Sequence, residues 1–468
     1  MGVTRRGRIV GLSLGALLVI GGGMGARRAL SVSDEVAEAA GATPAVEVPL
    51  FAPRRAPQYW RGAIAAARLT AAVQGAIPSE GACAAVSVGA RLVGAVDPDA
   101  LLAPASTMKI LTAIAALDLL GPDHRFTTEL RGAEPDANGV VTGPIVMVGG
   151  GDPTLATPRY VEYLAASDRF RTTPVTPLEG LVEQLVARGV TRIDGAVLGE
   201  SGRYLEPVYL STWKPNYRNE GQVGPIAALN VNHGFGDLTP PSPVDDPAGY
   251  AARQLEALLD RAAIDVDESG AAAPAGTGDD LPVLAVLESP PLRDIVSGML
   301  TSSDNTVAEM LTREIAIAVQ RDATTPEGVA AIVEVMVERE IERAALAPLD
   351  GSGLSPDARL TCRALLDAVE VAPNAVDEGY ADAAESGTLA VRWAGTELAG
   401  IVHAKTGQLN GVVALAGVLD GTDDRPEIRF AFLANGTFSQ EQGHDHQTEM
   451  VTALLGYPDA PALDELWD

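Results

Sequence analysis

An α+β (α/β) fold is predicted for this chain: a mainly antiparallel sheet with helices around it, interrupted by a large β-rich insertion. Three observations predict it. Strand-like runs occur early, over 82–96, and late, over 400–434, with helical patterning between 292 and 371. The last two of those runs are joined by the short turn "DGTDDRP", which favours antiparallel pairing. Between about 124 and 287 the texture changes to short apolar runs broken by Gly, Pro and Asp, as expected of inserted material.

The elements follow in order. Residues 1–8 carry Arg5, Arg6 and Arg8, and an uncharged apolar stretch runs from 9 to 26 before Arg27-Arg28. A positive start followed by an apolar segment has the form of an export signal. Its length is near the lower limit for a spanning helix. Residues 1–28 are therefore read as an export signal or a retained N-terminal membrane anchor. Either reading places the rest of the chain outside the cytoplasm, secreted, in the cell wall or in a periplasm. Residues 29–57 are rich in Ala, Pro and acids without a period and read as a linker.

A helix is expected over 59–76, then strands over 82–88 and 91–96 around Gly89. The apolar run after Ser106 predicts a helix to about 120, stopped by Gly121-Pro122. Inside the insertion, helices are expected over 178–188 and 248–263, and a Gly/Ala/Asp loop over 269–280. Helical patterning then returns over 292–300, 305–319, 326–343 and 359–371. Strands over 400–405, 412–419 and 427–434 and a last helix over 447–455 close the chain. The resulting partition is a split domain of 58–122 and 288–468, with 123–287 inserted as one or two smaller domains.

Composition excludes some functions. The formal net charge of −28 opposes nucleic-acid phosphates and anionic surfaces. No metal-ligand framework is visible, and His444-Asp445-His446 reads as a polar loop or helix start. Cys83 and Cys362 are far apart; in an exported chain they are able to pair, and otherwise they are two buried thiols. Of 34 Lys and Arg residues, only Lys109, Lys214 and Lys405 are lysine. A buried lysine can become a neutral base, whereas arginine cannot be deprotonated in a protein. Lys214 reads as a surface residue of the insertion, and His403 as a strand residue.

Two of the three lysines lie in motifs. Ser106 and Lys109 are spaced i, i+3 at the first turn of an apolar helix, so they share a face. The unpaired N–H groups and positive end of a helix start suit an oxyanion. Taken alone, the pair describes a capped helix more often than a site. Ser303-Asp304-Asn305, taken alone, is a helix N-cap signature. Lys405-Thr406-Gly407 is expected at a strand end, where such a tripeptide is usually a turn.

In this order, on these element types, the three motifs form the signature of penicillin-binding proteins and serine β-lactamases. The chain resembles the penicillin-binding protein 4 family of D-alanyl-D-alanine carboxypeptidases/endopeptidases over most of its length after about residue 80. "GGGDPTL" at 149–155, "VGPIAALNVNHG" at 223–234 and "DGSGLS" at 350–355 carry the resemblance further. The separation between Ser106 and Ser303 is far longer than in class A β-lactamases, and the insertion accounts for it.

The resemblance implies a penicillin-binding, transpeptidase-like catalytic domain acting on peptidoglycan stem peptides. Ser106 is implied as the nucleophile and Lys109 as its base, with a pKa lowered by burial and by the charge of Lys405. Ser303 would relay a proton to the leaving amine, and Asn305 would hold the substrate amide. Lys405 and Thr406 would bind the terminal carboxylate. Gly407 would let the strand approach the substrate, and the amides of Ser106 and Gln408 would form the oxyanion hole. β-Lactams would be covalent inhibitors, and neither a metal nor an organic cofactor is needed.

Two residues depart from the pattern. Gln408 stands where a hydroxyl residue is usual, and Pro356 where some members carry an arginine for the diaminopimelate side chain. The alternatives are a serine β-lactamase and a non-catalytic wall-binding protein with a relic site. The first is opposed by the long insertion and the second by three intact motifs.

Overall fold

The computed structural model describes residues 57–205 and 208–461. The expected export segment and most of the linker lie outside those residues. Among the described residues, no helix is long and apolar enough to cross a membrane.

A six-stranded sheet is assembled from both ends of the chain. Its order is Ala381–Asp382, Val402–Leu409, Val412–Leu419, Ile428–Asn435, Ala82–Val88, Arg91–Val96, and every neighbouring pair is antiparallel. The strand period of two divides its side chains between two cores. Ala82, Ala84 and Val86 face the helices Pro57–Ala76 and Gln440–Leu455. Cys83 and Ala85 face Met108–Leu120, Leu292–Ser302, Asn305–Ala318, Thr325–Glu338 and Cys362–Val371. Covered on both sides, Val412–Leu419 is buried at every position, which is why it reads as an unbroken apolar run. Cys83 and Cys362 form a disulfide between a central strand and a helix of that second core, with Cα atoms 5.9 Å apart.

The segment between the two parts of this split sheet builds its own six-stranded sheet. It orders Asp265–Ala273, Arg192–Glu200, Ile145–Val148, Thr127–Arg131 and Val283–Glu288, with Val140–Thr142 also paired to Arg192–Glu200. This inserted sheet is mixed: Arg192–Glu200 pairs in parallel with all three of its neighbours. The helix Pro247–Arg261 covers it, capped by the Asp246 carboxylate on Gly249 N.

Several boundaries differ from expectation. The first part of the expected 269–280 loop, 269–273, is strand, because Asp265–Ala273 finds a parallel partner in Arg192–Glu200 that its own composition does not announce. Pro158–Ala165 is an additional helix, started by Pro158 at its first turn. The last helix begins at Gln440, seven residues early, because Ser439 and Gln442 form a reciprocal capping box. His444 and His446 therefore lie on that helix.

Candidate active site

Ser106 sits in a 3-10 turn, Ala105–Thr107, that runs into the helix Met108–Leu120. That helix is buried except for its last turn, so Lys109 enters the interior with it. Ala105 is held at φ 46°, a left-handed conformation unfavourable to a residue with a side chain. Two glycines clamp the turn. A Cβ on Gly353, itself at φ +79°, would stand 1.8 Å from the Ala105 carbonyl. A Cβ on Gly407 would stand 2.9 Å from the Pro104 carbonyl and 3.1 Å from the Ser106 amide. Both approaches need the missing side chain.

Lys109 Nζ lies 2.9 Å from Ser106 Oγ, 2.6 Å from Asn305 Oδ1 and 2.8 Å from the Ser352 carbonyl. Burial brings its pKa down to about 7, with Arg169 adding to the shift and Asp304, Asp350 and Glu309 opposing it. A neutral amine keeps two N–H donors for Asn305 and Ser352 and turns its lone pair to Ser106 Oγ. Arg169 of the insertion acts with burial on Lys109, and the repulsion expected between Lys109 and Lys405 is expressed on Lys405.

Ser303-Asp304-Asn305 marks a helix start, as expected, and Ser303 also closes the preceding helix. Ser303, at φ 62° and ψ 44°, ends Leu292–Ser302, and Asp304 caps Asn305–Ala318 by accepting from Val307 N at 2.9 Å. Burial works against the Asp304 charge. His233, the Val307 amide and Lys109 overcome it and hold the carboxyl at about 2. Lys405-Thr406-Gly407 lies inside the strand Val402–Leu409, not at its end. Lys405 is fully buried and donates to the Thr406 carbonyl at 2.7 Å. Burial, then the charges of Lys109 and Arg169, keep its pKa well below the ordinary lysine value. Thr406 Oγ1 donates to Thr388 Oγ1 at 2.8 Å. The exposed Gln408 side chain accepts from Gln440 at 3.2 Å. Pro356 brings no cation, and its carbonyl accepts from Arg359.

The insertion grips this machinery at two places. Arg169 Nε donates to the Ser302 carbonyl (2.7 Å), and Asn305 Nδ2 donates to the Gln222 carbonyl (2.7 Å). Gly224 N donates to Thr306 Oγ1 (2.9 Å), and His233 Nδ1 lies 3.2 Å from Asp304 Oδ2. At the second place, Trp213 Nε1 donates to Asp350 Oδ2 at 2.8 Å and Ser355 Oγ to Thr212 Oγ1 at 2.8 Å. Asp350 also accepts the Gly353 and Ser355 amides, which fixes the loop whose Ser352 carbonyl holds Lys109.

These gripping residues were not singled out from sequence. "NVNHG" and "DGSGLS" marked the segments holding His233 and Ser352, but not their contacts. Glu309 was missed as well. It accepts the Ser352 amide at 2.7 Å, and burial, then Asp350, push its pKa up to about 8.

Comparison with known proteins identifies the family and the fold. The sequence pattern of the D-Ala-D-Ala carboxypeptidase 3 (S13) family matches residues 78–242 and 239–455. The chain belongs to this family. It is 36% identical over 360 residues to a carboxypeptidase of Mycobacterium tuberculosis, covering 72% of each chain. It is 26% identical over 416 residues to a D-alanyl-D-alanine carboxypeptidase of an Actinomadura species, covering 72% of this chain and 73% of that one. In fold it is similar to penicillin-binding protein 4 of Haemophilus influenzae, with a TM-score of 0.68 and 21% identity, covering 82% of this chain and 99% of that one. This S13 chain thus carries an intact Ser-x-x-Lys, Ser-Asp-Asn and Lys-Thr-Gly set in a mixed α/β fold of the penicillin-binding protein 4 type.

Proposed function

We propose that this protein is a serine-type D-alanyl-D-alanine carboxypeptidase/endopeptidase that cuts peptidoglycan stem peptides through an acyl-enzyme on Ser106. The observation carrying the reading is the contact of a fully buried Lys109 amine, with its pKa lowered to about 7, with the Ser106 hydroxyl.

Ser106 Oγ attacks the carbonyl of the penultimate D-alanine and passes its proton to Lys109. The oxyanion is received by the amides of Ser106 and Gln408. Lys109 returns the proton through Ser303 to the departing amine, and water then cleaves the ester. Asn305 holds Lys109 and, by exchanging its Gln222 partner, the substrate amide. Lys405 and Thr406 take the terminal carboxylate, and Gly407 allows the peptide to lie along the strand. A β-lactam enters the same path and stays on Ser106.

This activity belongs outside the cytoplasm, and the Cys83–Cys362 disulfide supports that placement. Residues 9–26 would deliver the chain there or anchor it. Residues 123–287 would act as a separate inserted domain.

Incubation with a fluorescent penicillin tests the reading. Wild type should be labelled stably and Ser106→Ala not at all. An unlabelled wild type, or equal labelling of both, would sink the proposal, and rapid loss of label with drug turnover would favour a β-lactamase.

A further inference from the structure

Arg169 follows the helix Pro158–Ala165 and reaches from the insertion to the catalytic loop. Its Nε donates to the Ser302 carbonyl at 2.7 Å, and its guanidinium lies 5.0 Å from the centre of the Phe170 ring. Among the described residues, its two terminal nitrogens make no hydrogen bond. Neighbouring arginines are engaged. Arg171 binds Asp168 and the Glu385 carbonyl, and Arg203 forms a two-point pair with Glu314. Arg169 is solvent-exposed and lines a cavity of about 100 Å³ together with Tyr163, Gln222, Ser303 and Asn305.

Lysines, rather than free carboxylates, stand on the far side of Arg169. Arg169 is near enough to Lys109 and Lys405 to depress the pKa of both. Among the described residues, no carboxylate is hydrogen-bonded to Lys405, and the charges that act on it are those of Lys109 and Arg169. Asp304 acts on Arg169 but is already occupied by Val307 N and His233. Arg169 and Lys405 thus share the Ser106–Ser303 side of the cleft with the Lys109 amine. A cluster of this kind is preorganised for an anion supplied by the ligand. A planar guanidinium with both terminal nitrogens free matches a carboxylate in two-point geometry, which a lysine does not offer.

We propose that Arg169 is a specificity-determining residue that binds the carboxylate on the amine side of the scissile bond, alongside Lys405 and Thr406. The proposal rests on the D-Ala-D-Ala peptidase reading. It gives the insertion a direct part in substrate selection. The same chemistry serves two sources: the terminal carboxylate of D-alanine, and the carboxylate beside the released amine in a cross-link.

Steady-state cleavage by the full chain tests it. Wild type, Arg169→Lys and Arg169→Ala are compared on diacetyl-Lys-D-Ala-D-Ala, on the same peptide ending in D-alaninamide, and on a cross-linked muropeptide dimer. Arg169→Ala should lose roughly 10- to 100-fold more in kcat/KM on the free acid than on the amide, where only the Ser302 contact is lost. Arg169→Lys should fall between. A parallel loss on the dimer would assign Arg169 to both carboxylates, and a loss on the acid alone to the terminal one.

Equal losses on acid and amide would reduce Arg169 to a support for Ser302 and overturn the proposal, as would an unchanged Arg169→Ala. A wild type that neither cleaves the acid nor is labelled by penicillin would instead sink the parent reading. An active wild type with an indifferent Arg169→Ala would sink this inference alone.

Discussion

The two sides of the cleft are built on different plans. On one side, Ser106, Lys109, Ser303 and Lys405 belong to the split sheet and its helices. On the other, the insertion presents Arg169, Gln222, Gly224 and His233 to residues 302–306, and Trp213 to Asp350. The first side carries the groups proposed to react. The second holds the loops on which those groups stand. Reactivity is concentrated in a few side chains, whereas positioning is spread over contacts that are replaceable one at a time. Substitutions on the two sides should therefore differ in kind as well as in size.

The largest effect is expected from Lys109→Met, which keeps the volume and removes the proposed base. Acylation by a chromogenic β-lactam under single-turnover conditions should slow by roughly 10²- to 10⁴-fold, the usual worth of a general base. Stability should change much less than activity, because burying the amine already carries a desolvation cost. In wild type the acylation rate should rise as pH increases through about 7, where Lys109 loses its proton. The absence of that acid limb, or a Lys109→Met enzyme that acylates normally, would remove the first half of the comparison.

On the insertion side, His233→Phe should cost less in rate and more in folding. Burial alone would lower the His233 pKa, but Asp304 and the Pro153 carbonyl raise it, so the imidazolium is the form that pairs. Replacing it leaves Asp304 buried without its counter-charge, a loss of about 2 to 4 kcal/mol. Acylation should fall roughly 10- to 100-fold through displacement of Ser303 and Asn305. His233→Gln, which keeps a donor, should recover part of both. Because the folded pKa of His233 is raised, the stabilisation from the pair is complete below the ordinary histidine pKa. It is lost as pH rises through the folded value, and thermal melts of His233→Phe should lack that pH dependence. A His233→Phe enzyme with wild-type acylation would show that the insertion does not position the loop.

The same contrast explains what was legible in the sequence. Ser-x-x-Lys, Ser-Asp-Asn and Lys-Thr-Gly are each local, so the spacing of a helix or strand displays them directly. The strand Val412–Leu419 was legible for a similar reason: a fully buried strand needs an unbroken apolar run. The contacts of Arg169 with Ser302 and of His233 with Asp304 join distant segments and leave no local pattern. The action of Arg169 on Lys109 was not legible for that reason. Lys405 shares a motif set with Lys109, whereas Arg169 sits in an undistinguished "SDRFR". The strand Asp265–Ala273 was missed because its pairing, not its composition, makes it a strand. The early start of the last helix was readable, since Ser439 and Gln442 have capping-box spacing.

Glu309 tests the boundary between the two sides with the smallest effect. It lies in the helix Asn305–Ala318, and its carboxylate takes the Ser352 amide while the Ser352 carbonyl takes Lys109. Asp350, the like charge that acts on it, is held by Trp213 from the insertion. Burial and Asp350 raise the Glu309 pKa to about 8, so the folded chain keeps a proton there that the unfolded chain releases near the ordinary carboxylate value. Between those two values the native state binds more protons, and this group's contribution to stability falls as pH rises towards 8. Glu309→Gln cannot titrate. Relative to wild type it should gain about 1 to 2 kcal/mol between pH 5 and pH 8, less than the full shift allows because neighbouring groups relax. The difference between the two proteins matters here, because Lys109 titrates with the opposite slope above about 7. Acylation should change less than tenfold, since the amide oxygen introduced by Glu309→Gln can still accept from Ser352. Parallel melting curves across this range would mean that Glu309 is ionised in the fold. The acid would then lie on the reacting side of the site, as a charge holding Lys109 protonated, and the low Lys109 pKa would need another origin.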